Sequence, residues 1–349
     1  MRNPIGLMLA VVVAAVVIAG VWFWTAAPRA DAAPPQTVAA RPADSLPPAA
    51  AKSATRDDVE TTAAVSKQPA AAPAPAPAPA PAPMQAKSTC ANPDALGVSR
   101  TVVIDTTGGP GFGFLQYRQF DFLTDKEVVL TFDDGPWPTT PAVLKALADE
   151  CTKAVFFPIG LHTTYHPEIL KQVAAAGHTI GSHTWSHAHL DSKKLTEQQA
   201  KDEIEKGFSA VKMALGTAPS PFFRFPALAH TQATLAHLAS RNIAMFSVDV
   251  DSLDFKSSSA DQVIQTVMTK LEKQGKGIIL MHDLQKHTAQ ALPTLLRRLK
   301  AGGYKVVQMK AKEPLETLPE YDALMVKDVK VPAASARPLS SVVQTVSQQ

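Results

Sequence analysis

The feature that most constrains the fold is an alternation of strand-like and helix-like segments between residues 127 and 308. Short apolar runs rich in Val, Ile and Phe alternate with longer amphipathic segments that begin or end near Pro, Thr or Gly. Repeated β-α units of this kind favour a mostly parallel sheet with helices packed outside it. We therefore predict an α/β fold, and about seven such strands fit a closed barrel better than an open sheet.

The alternation predicts individual strands and helices. The expected strands are Glu127 to Phe132, Lys153 to Ile159, His178 to Ser182, Phe222 to Phe225, Asn242 to Val250, Gly277 to Met281 and Tyr304 to Gln308. A helix is expected from Thr140, with Pro141 in its first turn. The later helices are Pro167 to Ala176, Thr196 to Ala214, Thr231 to Ser240, Ala260 to Gln274 and Ala289 to Lys300.

The amino-terminal segment, residues 1–27, predicts a membrane anchor. An uncharged run from Ile5 to Ala27 follows Arg2, and about 20 apolar residues span a bilayer core. A cleaved signal peptide is the alternative, because Ala30 to Ala32 fits the A-x-A cleavage pattern. Either interpretation takes the rest of the chain out of the cytoplasm. We expect it in the periplasm or outside the cell, anchored to the inner membrane, or secreted if the leader is cleaved.

Residues 28–89 predict a disordered linker. Ala and Pro alternate from Pro73 to Pro83, and no apolar periodicity is sustained across the segment. Such a composition buries too little surface to fold and favours an extended polyproline-type spacer. A proline-rich ligand for a partner domain is the less common alternative. The folded domain is then expected over residues 90–312, followed by a loose carboxy-terminal tail over residues 313–349.

Charge and cysteine content narrow the classes of protein further. The net charge is only +3, and no dense Lys/Arg stripe with interleaved aromatic residues is present, so we predict no nucleic-acid partner. The two cysteines are Cys90 and Cys151. In an oxidising compartment they would close a loop of about 60 residues. Two unrelated buried thiols are the alternative, and we favour the disulfide.

Polar side chains end four of the expected strands. These segments are Asp133-Asp134-Gly135-Pro136, Ser182 to His187, Arg224-Phe225-Pro226 and Met281-His282-Asp283. In α/β barrels the catalytic groups lie at the carboxyl ends of the strands, so we expect these side chains to meet. One carboxylate and two imidazoles are a suitable ligand set for Zn²⁺, with open positions for water and substrate.

Each of these motifs alone has an ordinary structural explanation. Asp, Gly and Pro suit a turn, and two histidines four residues apart are a common accident. Arg224 alone would usually be a salt-bridged surface residue, and His282 a satisfied core histidine. Their occurrence in this order, each after a strand-like run, is much harder to explain by chance.

Five ordered motifs resemble those of the NodB-type polysaccharide deacetylases, carbohydrate esterase family four. They are Thr131 to Pro136 (TFDDGP), His183 to His187 (HTWSH), Arg224 to Pro226 (RFP), Asp251 to Phe255 (DSLDF) and Leu280 to His282 (LMH). The resemblance covers roughly residues 103–308. It implies a distorted (β/α)7 barrel that hydrolyses N-acetyl groups on sugars such as those of chitin or peptidoglycan. Some relatives instead cleave O-acetyl esters on xylan.

The resemblance also implies roles for individual residues. Asp134, His183 and His187 would bind a divalent metal, usually zinc. Asp133 would be the general base, and Arg224 would orient it and hold its pKa down. His282 would be the general acid, and Asp254 would tune the pKa of that imidazole. A metal ion lowers the pKa of bound water toward about 7, and an imidazole is suited to protonate a departing amine.

Two positions depart from the family pattern. Ala227 stands where the third motif usually ends in tyrosine, and Phe255 stands where the fourth usually ends in tryptophan. Alanine keeps the backbone N–H through which the tyrosine is thought to act, so catalysis is expected to survive. We expect the pocket for the acetyl methyl group to be altered. His189 has no role in the pattern and is interpreted as a bystander.

We therefore predict a monomeric, metal-dependent hydrolase that deacetylates an N-acetylated cell-envelope or related polysaccharide. An O-acetyl xylan-type esterase is one alternative. A catalytically silent module that only binds glycan is another, although it would be expected to lack a metal ligand, Asp133 or His282. A structural spacer protein, in which the linker matters and the domain is a cap, does not require a metal triad and ranks below these.

Overall fold

The structure is a computed structural model that describes residues 90–328. The expected membrane anchor (residues 1–27), the linker (residues 28–89) and residues 329–349 of the expected tail lie outside the described residues. Within the part that the structure describes, no helix is long and apolar enough to span a bilayer.

The described residues form parallel strands interleaved with helices. The strands are β1 (Arg100–Ile104), β2 (Gly111–Phe112), β3 (Glu127–Asp133), β4 (Val155–Phe157), β5 (Thr179–Ile180), β6 (Phe222–Phe223), β7 (Ala244–Phe246), β8 (Val250–Asp251), β9 (Gly277–His282) and β10 (Lys305–Ala311). The helices are α1 (Thr140–Asp149), α2 (Gly160–Tyr165), α3 (Pro167–Ala175), α4 (Glu197–Leu215), α5 (Gln232–Ser240), α6 (Ala260–Gln274), α7 (Lys286–Ala301) and α8 (Pro319–Asp328). Short 3-10 turns occupy Pro226–Leu228 and Asp254–Lys256.

The strands close into a barrel-like ring. β9, β3, β4 and β5 pair side by side in parallel, and a bridge between Ser182 and Phe223 continues the ring from β5 to β6. β6 pairs with β7, and β8, which follows β7 after three residues, returns to β9. β10 pairs with the start of β3, at the end of that strand opposite Asp133. β1 pairs with β10. The predicted α/β, barrel-like architecture is confirmed.

Alternation along β3 decides which side chains reach the interior. Val128, Leu130 and Phe132 belong to the apolar layer between the strands and the helices, whereas Val129 belongs to the cluster inside the ring. Because successive side chains in a strand point to opposite faces, Thr131 and Asp133 share the inward face with Val129. The same alternation on β9 places His282 inward with Ile278. At the carboxyl ends of both strands, the inward-facing side chains are therefore polar.

The longest helix shows how the sequence sets helix boundaries. Thr196 caps the start of α4: its side chain accepts from the backbone N–H of Gln199, whose own side chain accepts from the N–H of Thr196. Gly216 ends the helix in the left-handed conformation with φ 74°, which glycine adopts without steric penalty. Ile204 and Phe208 then face the core.

The structure differs from two sequence expectations. The strand expected over 242–250 is two short strands, because the residues between them turn toward neighbours: the carbonyl of Ser247 accepts from Arg224, and the Asp249 carboxylate accepts from Ile278. The tail expected to be loose from residue 313 instead contains α8, which packs on α4. Lys212 pairs with Asp322 at 2.8 Å. A helix held by such polar contacts shows little apolar periodicity in its sequence, so the sequence did not predict it.

The two cysteines are joined as a disulfide. Cys90 and Cys151 have their Cα atoms 5.8 Å apart and are bonded through sulfur. The bond ties the first described residue to the segment after α1, so the predicted disulfide is confirmed.

Candidate active site

Three side chains converge at the carboxyl end of the ring. Oδ1 of Asp134 lies 3.5 Å from Nε2 of His183 and 3.4 Å from Nε2 of His187. Asp134 follows β3, and the two histidines lie in the loop after β5. Of the described residues, only these three form a cluster of three or more groups suited to hold a metal ion.

The geometry and chemistry of this cluster fit a zinc-type cation. Ligand atoms that lie about 2.0–2.1 Å from a tetrahedral Zn²⁺ are about 3.4 Å apart, which matches the two spacings from Asp134. Oδ1 of Asp134 is buried and has no hydrogen-bond partner in the protein. A buried carboxylate oxygen in that state is costly unless a cation or another donor satisfies it.

The surroundings prepare His183 to act as a ligand. Its Nδ1–H donates to the backbone carbonyl of Arg224 at 2.7 Å, which leaves Nε2 free to face Asp134. Burial lowers the pKa of His183 to about 3, so the imidazole is neutral. A neutral ring whose second nitrogen is fixed by a carbonyl is the usual state of a metal-binding histidine.

Hydrogen bonds hold the loops that carry the other two candidate ligands, whose backbone is strained. Asp134 and His187 adopt left-handed conformations, with φ of 73° and 61°. Such conformations typically cost about 1–3 kcal/mol each and persist only where their surroundings impose them. The carbonyl of Asp134 accepts from Nδ1 of His162 at 2.6 Å. Beside His187, the Glu203 carboxylate accepts from both the backbone N–H and the hydroxyl of Ser186.

Asp133 forms a buried ion pair with Arg224. Nη1 of Arg224 donates to Oδ1 of Asp133 at 2.7 Å, and the guanidinium also contacts Thr131 and the ring of Phe157. Burial raises the pKa of Asp133, and the charge of Arg224 opposes that rise. The resemblance implied that Arg224 holds this pKa down. The expected contact is present, but burial outweighs it, which moves the carboxylate toward the range useful to a base at neutral pH.

His282 and Asp254 form the second ion pair. Nδ1 of His282 donates to Oδ1 of Asp254 at 2.6 Å, and the backbone N–H of His282 and the hydroxyl of Thr288 donate to Oδ2. Burial alone would lower the pKa of His282, but Asp254, with help from Asp133 and Asp134, raises it to about 9. The imidazole is therefore protonated at neutral pH, with Nε2 as its remaining donor.

All of these reactive groups except Asp254 and Arg224 line one cavity of about 370 Å³. Its polar wall contains the Asp-His-His cluster with Asp133 and His282, and its apolar wall is formed by Phe225, Ala227, Leu228, Phe255 and Leu280. Asp251 also lines it. The seven residues predicted from the sequence are thus brought together: five line the cavity and two hold residues that do.

The two departures from the family pattern lie in this cavity. Ala227 and Leu228 have φ of 51° and 57°, so two consecutive residues without glycine's freedom are in the left-handed region. Phe255 is about half exposed and meets the imidazole of His282 edge-on, with ring centres 5.6 Å apart. His189 does not line the cavity.

Several residues that support the site are not evident from the sequence. His162, Glu203 and Asp283 each contact a loop that carries a candidate ligand, but each comes from a segment without a recognisable motif of its own. Asp283 is the partial exception, because it directly follows His282, the final residue of the last motif. Burial raises the pKa of its carboxyl group to about 7.

The chain is similar in sequence and structure to known polysaccharide deacetylases. The polysaccharide deacetylase family model matches residues 122–246. A peptidoglycan-N-acetylglucosamine deacetylase of Listeria monocytogenes is 35% identical over 185 residues, covering 53% of this chain and 38% of that protein. A chitooligosaccharide deacetylase of a Bradyrhizobium species is 31% identical over 164 residues, covering 47% of this chain and 73% of that protein. A solved peptidoglycan deacetylase structure from Bdellovibrio bacteriovorus has TM-score 0.55 and 36% identity, covering 62% of this chain and 59% of that chain.

The fold and the site together define an α/β barrel-like protein with its reactive groups at the carboxyl ends of the strands. The chain belongs to the polysaccharide deacetylase family, as its motifs predicted. It spans only 38% of the length of the Listeria relative.

Proposed function

We propose that this chain is a metal-dependent hydrolase that removes acetyl groups from an N-acetylated polysaccharide. The observation that carries the proposal is the presence of two separately held proton-transfer groups beside one ligand set. Asp133 is fixed by Arg224 and His282 by Asp254. A module that only binds glycan has no need of both pairs, so their retention supports an enzyme.

Asp134, His183 and His187 would hold the cation. One carboxylate and two imidazoles favour Zn²⁺. When bound, such an ion lowers the pKa of a coordinated water and polarises a carbonyl oxygen.

Asp133 would act as the general base. Its Oδ1 is engaged by Arg224, whereas its Oδ2 lies 3.9 Å from Nε2 of His183 and so faces the ligand cluster. Because Arg224 is itself completely buried, the carboxylate is held in one orientation. Oδ2 is the atom that would accept the proton of the attacking water.

His282 would act as the general acid. Its Nδ1 is committed to Asp254, so the proton available to a substrate is the one on Nε2. Amide hydrolysis must protonate the departing nitrogen, and an imidazole with a raised pKa stays charged until that step. Asp133 takes one proton from the attacking water and His282 gives one to the departing nitrogen, so one acetamide and one water yield acetic acid and an amine. The acid then ionises, and proton exchange with solvent restores both residues.

The proposed substrate is a glycan that contains N-acetylglucosamine, of the peptidoglycan or chitin type. The names of the relatives above support this choice, and the cavity offers an apolar wall beside the reactive groups. Leu280 precedes the acid His282 by two residues and shares its inward face, so it suits contact with the acetyl methyl group.

We also propose that a monomeric catalytic domain works outside the cytoplasm, attached to the inner membrane through residues 1–27. The disulfide supports an oxidising compartment. The apolar run from Ile5 to Ala27 supports an anchor. Protease added to spheroplasts should cut within residues 28–89 and release active domain, and protection of the linker until the membrane is lysed would contradict this topology.

The test of activity is a comparison of substrates with the full chain. N-acetylglucosamine oligomers, peptidoglycan and acetylated xylan would be incubated with the protein, and released acetate measured before chelation, after chelation and after Zn²⁺ is restored. We expect acetate from the N-acetylated glycans, loss on chelation and recovery with Zn²⁺. Release from acetylated xylan alone would replace the proposal by an esterase, and full activity after exhaustive chelation would remove the metal.

A further inference from the structure

Asp283 has a buried carboxyl group that the proposed reaction does not use. It follows His282 at the end of β9, but its side chain points the other way, among Phe132, Phe156 and Leu170 of the layer between strands and helices. Asp283 is only 1% exposed. A carboxyl group in such apolar surroundings is costly, so its contacts are informative.

Those contacts all go to the loop that leaves β3. Oδ2 of Asp283 accepts from the hydroxyl of Thr140 at 2.5 Å, and the hydroxyl oxygen of Thr140 accepts from the backbone N–H of Trp137 at 2.9 Å. The carbonyl of Asp283 accepts from the hydroxyl of Thr139 at 2.6 Å, and its N–H donates to the carbonyl of Asp133 at 3.3 Å.

The carboxyl group also packs directly beneath Gly135. A Cβ atom built on Gly135 would lie 2.1 Å from Oδ2 of Asp283, so only glycine lets the loop approach this closely. Gly135 immediately follows the candidate ligand Asp134. Asp283 thus contacts the loop both before Asp134, at Asp133, and after it, at Gly135, Thr139 and Thr140.

We propose that Asp283 is a positioning residue that presets Asp134 for binding the cation with His183 and His187. The inference rests on the metal site of the proposed function. Asp134 has φ 73°, a conformation that must be imposed by its surroundings. With the loop anchored below Gly135, the carboxylate stays 3.4–3.5 Å from both imidazoles. Without that anchor, cation binding would also have to order the loop, which weakens affinity.

Asp249 provides a matched control at the opposite end of β9. Its carboxylate accepts two backbone hydrogen bonds, from Phe114 at 2.6 Å and from Ile278 at 2.7 Å. It also packs on a glycine, since a Cβ on Gly277 would lie 2.6 Å from the Cβ of Asp249. Asp249 is less buried than Asp283 but likewise ties a neighbouring segment to β9, and these contacts do not involve residues 133–140.

The experiment measures cation affinity rather than turnover. Full-chain wild type, Asp283→Ala, Thr140→Val and Asp249→Ala would be titrated with Zn²⁺ against a chromogenic chelator, and the visible spectra of their Co²⁺ forms recorded. Loss of a residue that orients a metal ligand typically weakens affinity about 10–100-fold. We expect that loss in Asp283→Ala, a smaller one in Thr140→Val, and an altered Co²⁺ spectrum in both.

Two control variants separate positioning from general stability. Thr140→Ser keeps the hydroxyl and should restore affinity to within a few-fold of wild type, whereas Asp249→Ala should lower the melting temperature without weakening Zn²⁺ binding. Wild-type affinity in both Asp283→Ala and Thr140→Val would overturn the inference, as would an equal loss in Asp249→Ala. If Asp283→Ala does not fold, Thr140→Val against Thr140→Ser decides. A wild-type chain that binds no Zn²⁺ would instead overturn the proposed function, and this inference with it.

Discussion

Asp133 and His282 are register partners on the adjacent parallel strands β3 and β9. Both side chains point into the ring, so the two proposed proton-transfer groups flank the cavity from neighbouring strands about 4.8 Å apart. Each is fixed from behind by a residue of opposite charge from another part of the chain, Arg224 and Asp254 respectively. Base and acid are therefore held by separate contacts, so variants of one pair should leave the geometry of the other intact, although the charge of Asp133 also helps to raise the pKa of His282.

The two neighbouring carboxylates should not be interchangeable. Asp134→Asn should lose cation and activity together, because a three-residue ligand set has no spare member. Asp133→Asn should keep the cation and lose turnover by about 10²–10⁴-fold, the usual effect of removing a general base. Metal analysis of each variant beside its rate makes the distinction. A near-normal rate in Asp133→Asn would mean that the base is misassigned.

The site residues could be predicted because they follow two kinds of regularity. Asp133 and His282 end apolar strands, and strand alternation with the barrel rule places them inward at one end. The ion pairs between Asp133 and Arg224 and between His282 and Asp254 came from family motifs, not from periodicity, since they join residues far apart in sequence. The structure adds their geometry and shows that burial, rather than Arg224, dominates the pKa of Asp133.

The remaining features left no such signal. α2 has only six residues, too few for a helical period to be recognised. α8 is held partly by Lys212 with Asp322 and by Tyr321 with Asp202, contacts whose partners lie more than a hundred residues apart. Glu203 and His162 act through the backbone of a ligand loop, a role open to many residue types. Their identity alone therefore does not reveal them.

The disulfide should stabilise the fold without affecting the chemistry. Joining Cys90 to Cys151 closes a loop with a sequence separation of 61, which the chain-entropy model values at about 4 kcal/mol. The Cys90→Ser, Cys151→Ser double variant should lose about that much free energy of unfolding, measured by urea denaturation. Below its unfolding transition it should keep the wild-type rate. Identical midpoints with and without a reductant would contradict the prediction.

The pH dependence of activity should report the pair of His282 and Asp254. Because the pKa of His282 is raised to about 9, the imidazole loses its proton as the pH rises through that value, and kcat/KM should fall there. A cation at the ligand cluster opposes the rise, so the alkaline limb should lie at or below about pH 9. Asp254→Asn removes the carboxylate that favours the charged ring.

The alkaline limb should therefore move to lower pH in Asp254→Asn, with the cation still bound. The expected result is a variant that is more impaired at pH 8.5 than at pH 6.5. A profile that merely drops by the same factor at every pH would show that Asp254 supports the structure and does not tune His282.

The most discriminating prediction concerns the leaving group. Amide hydrolysis expels an amine, which must be protonated as the bond breaks, whereas an activated aryl ester expels a phenolate that departs with almost no help. If His282 is the general acid, His282→Ala should therefore depress de-N-acetylation far more than cleavage of an aryl acetate. Asp133 and the ligand set are held by other contacts, so the residual esterase activity should persist.

The alternative is that His282 only packs beside Asp254 and Phe255 and supports the end of β9. Its removal would then slow both reactions by a similar factor and lower the melting temperature. Both rates should be measured on the same preparation of the variant, after its Zn²⁺ content is shown to equal that of wild type. A large loss confined to the amide assigns the proton to Nε2 of His282. Equal losses on the two substrates would remove His282 from the mechanism and leave its raised pKa as a consequence of its pairing with Asp254 alone.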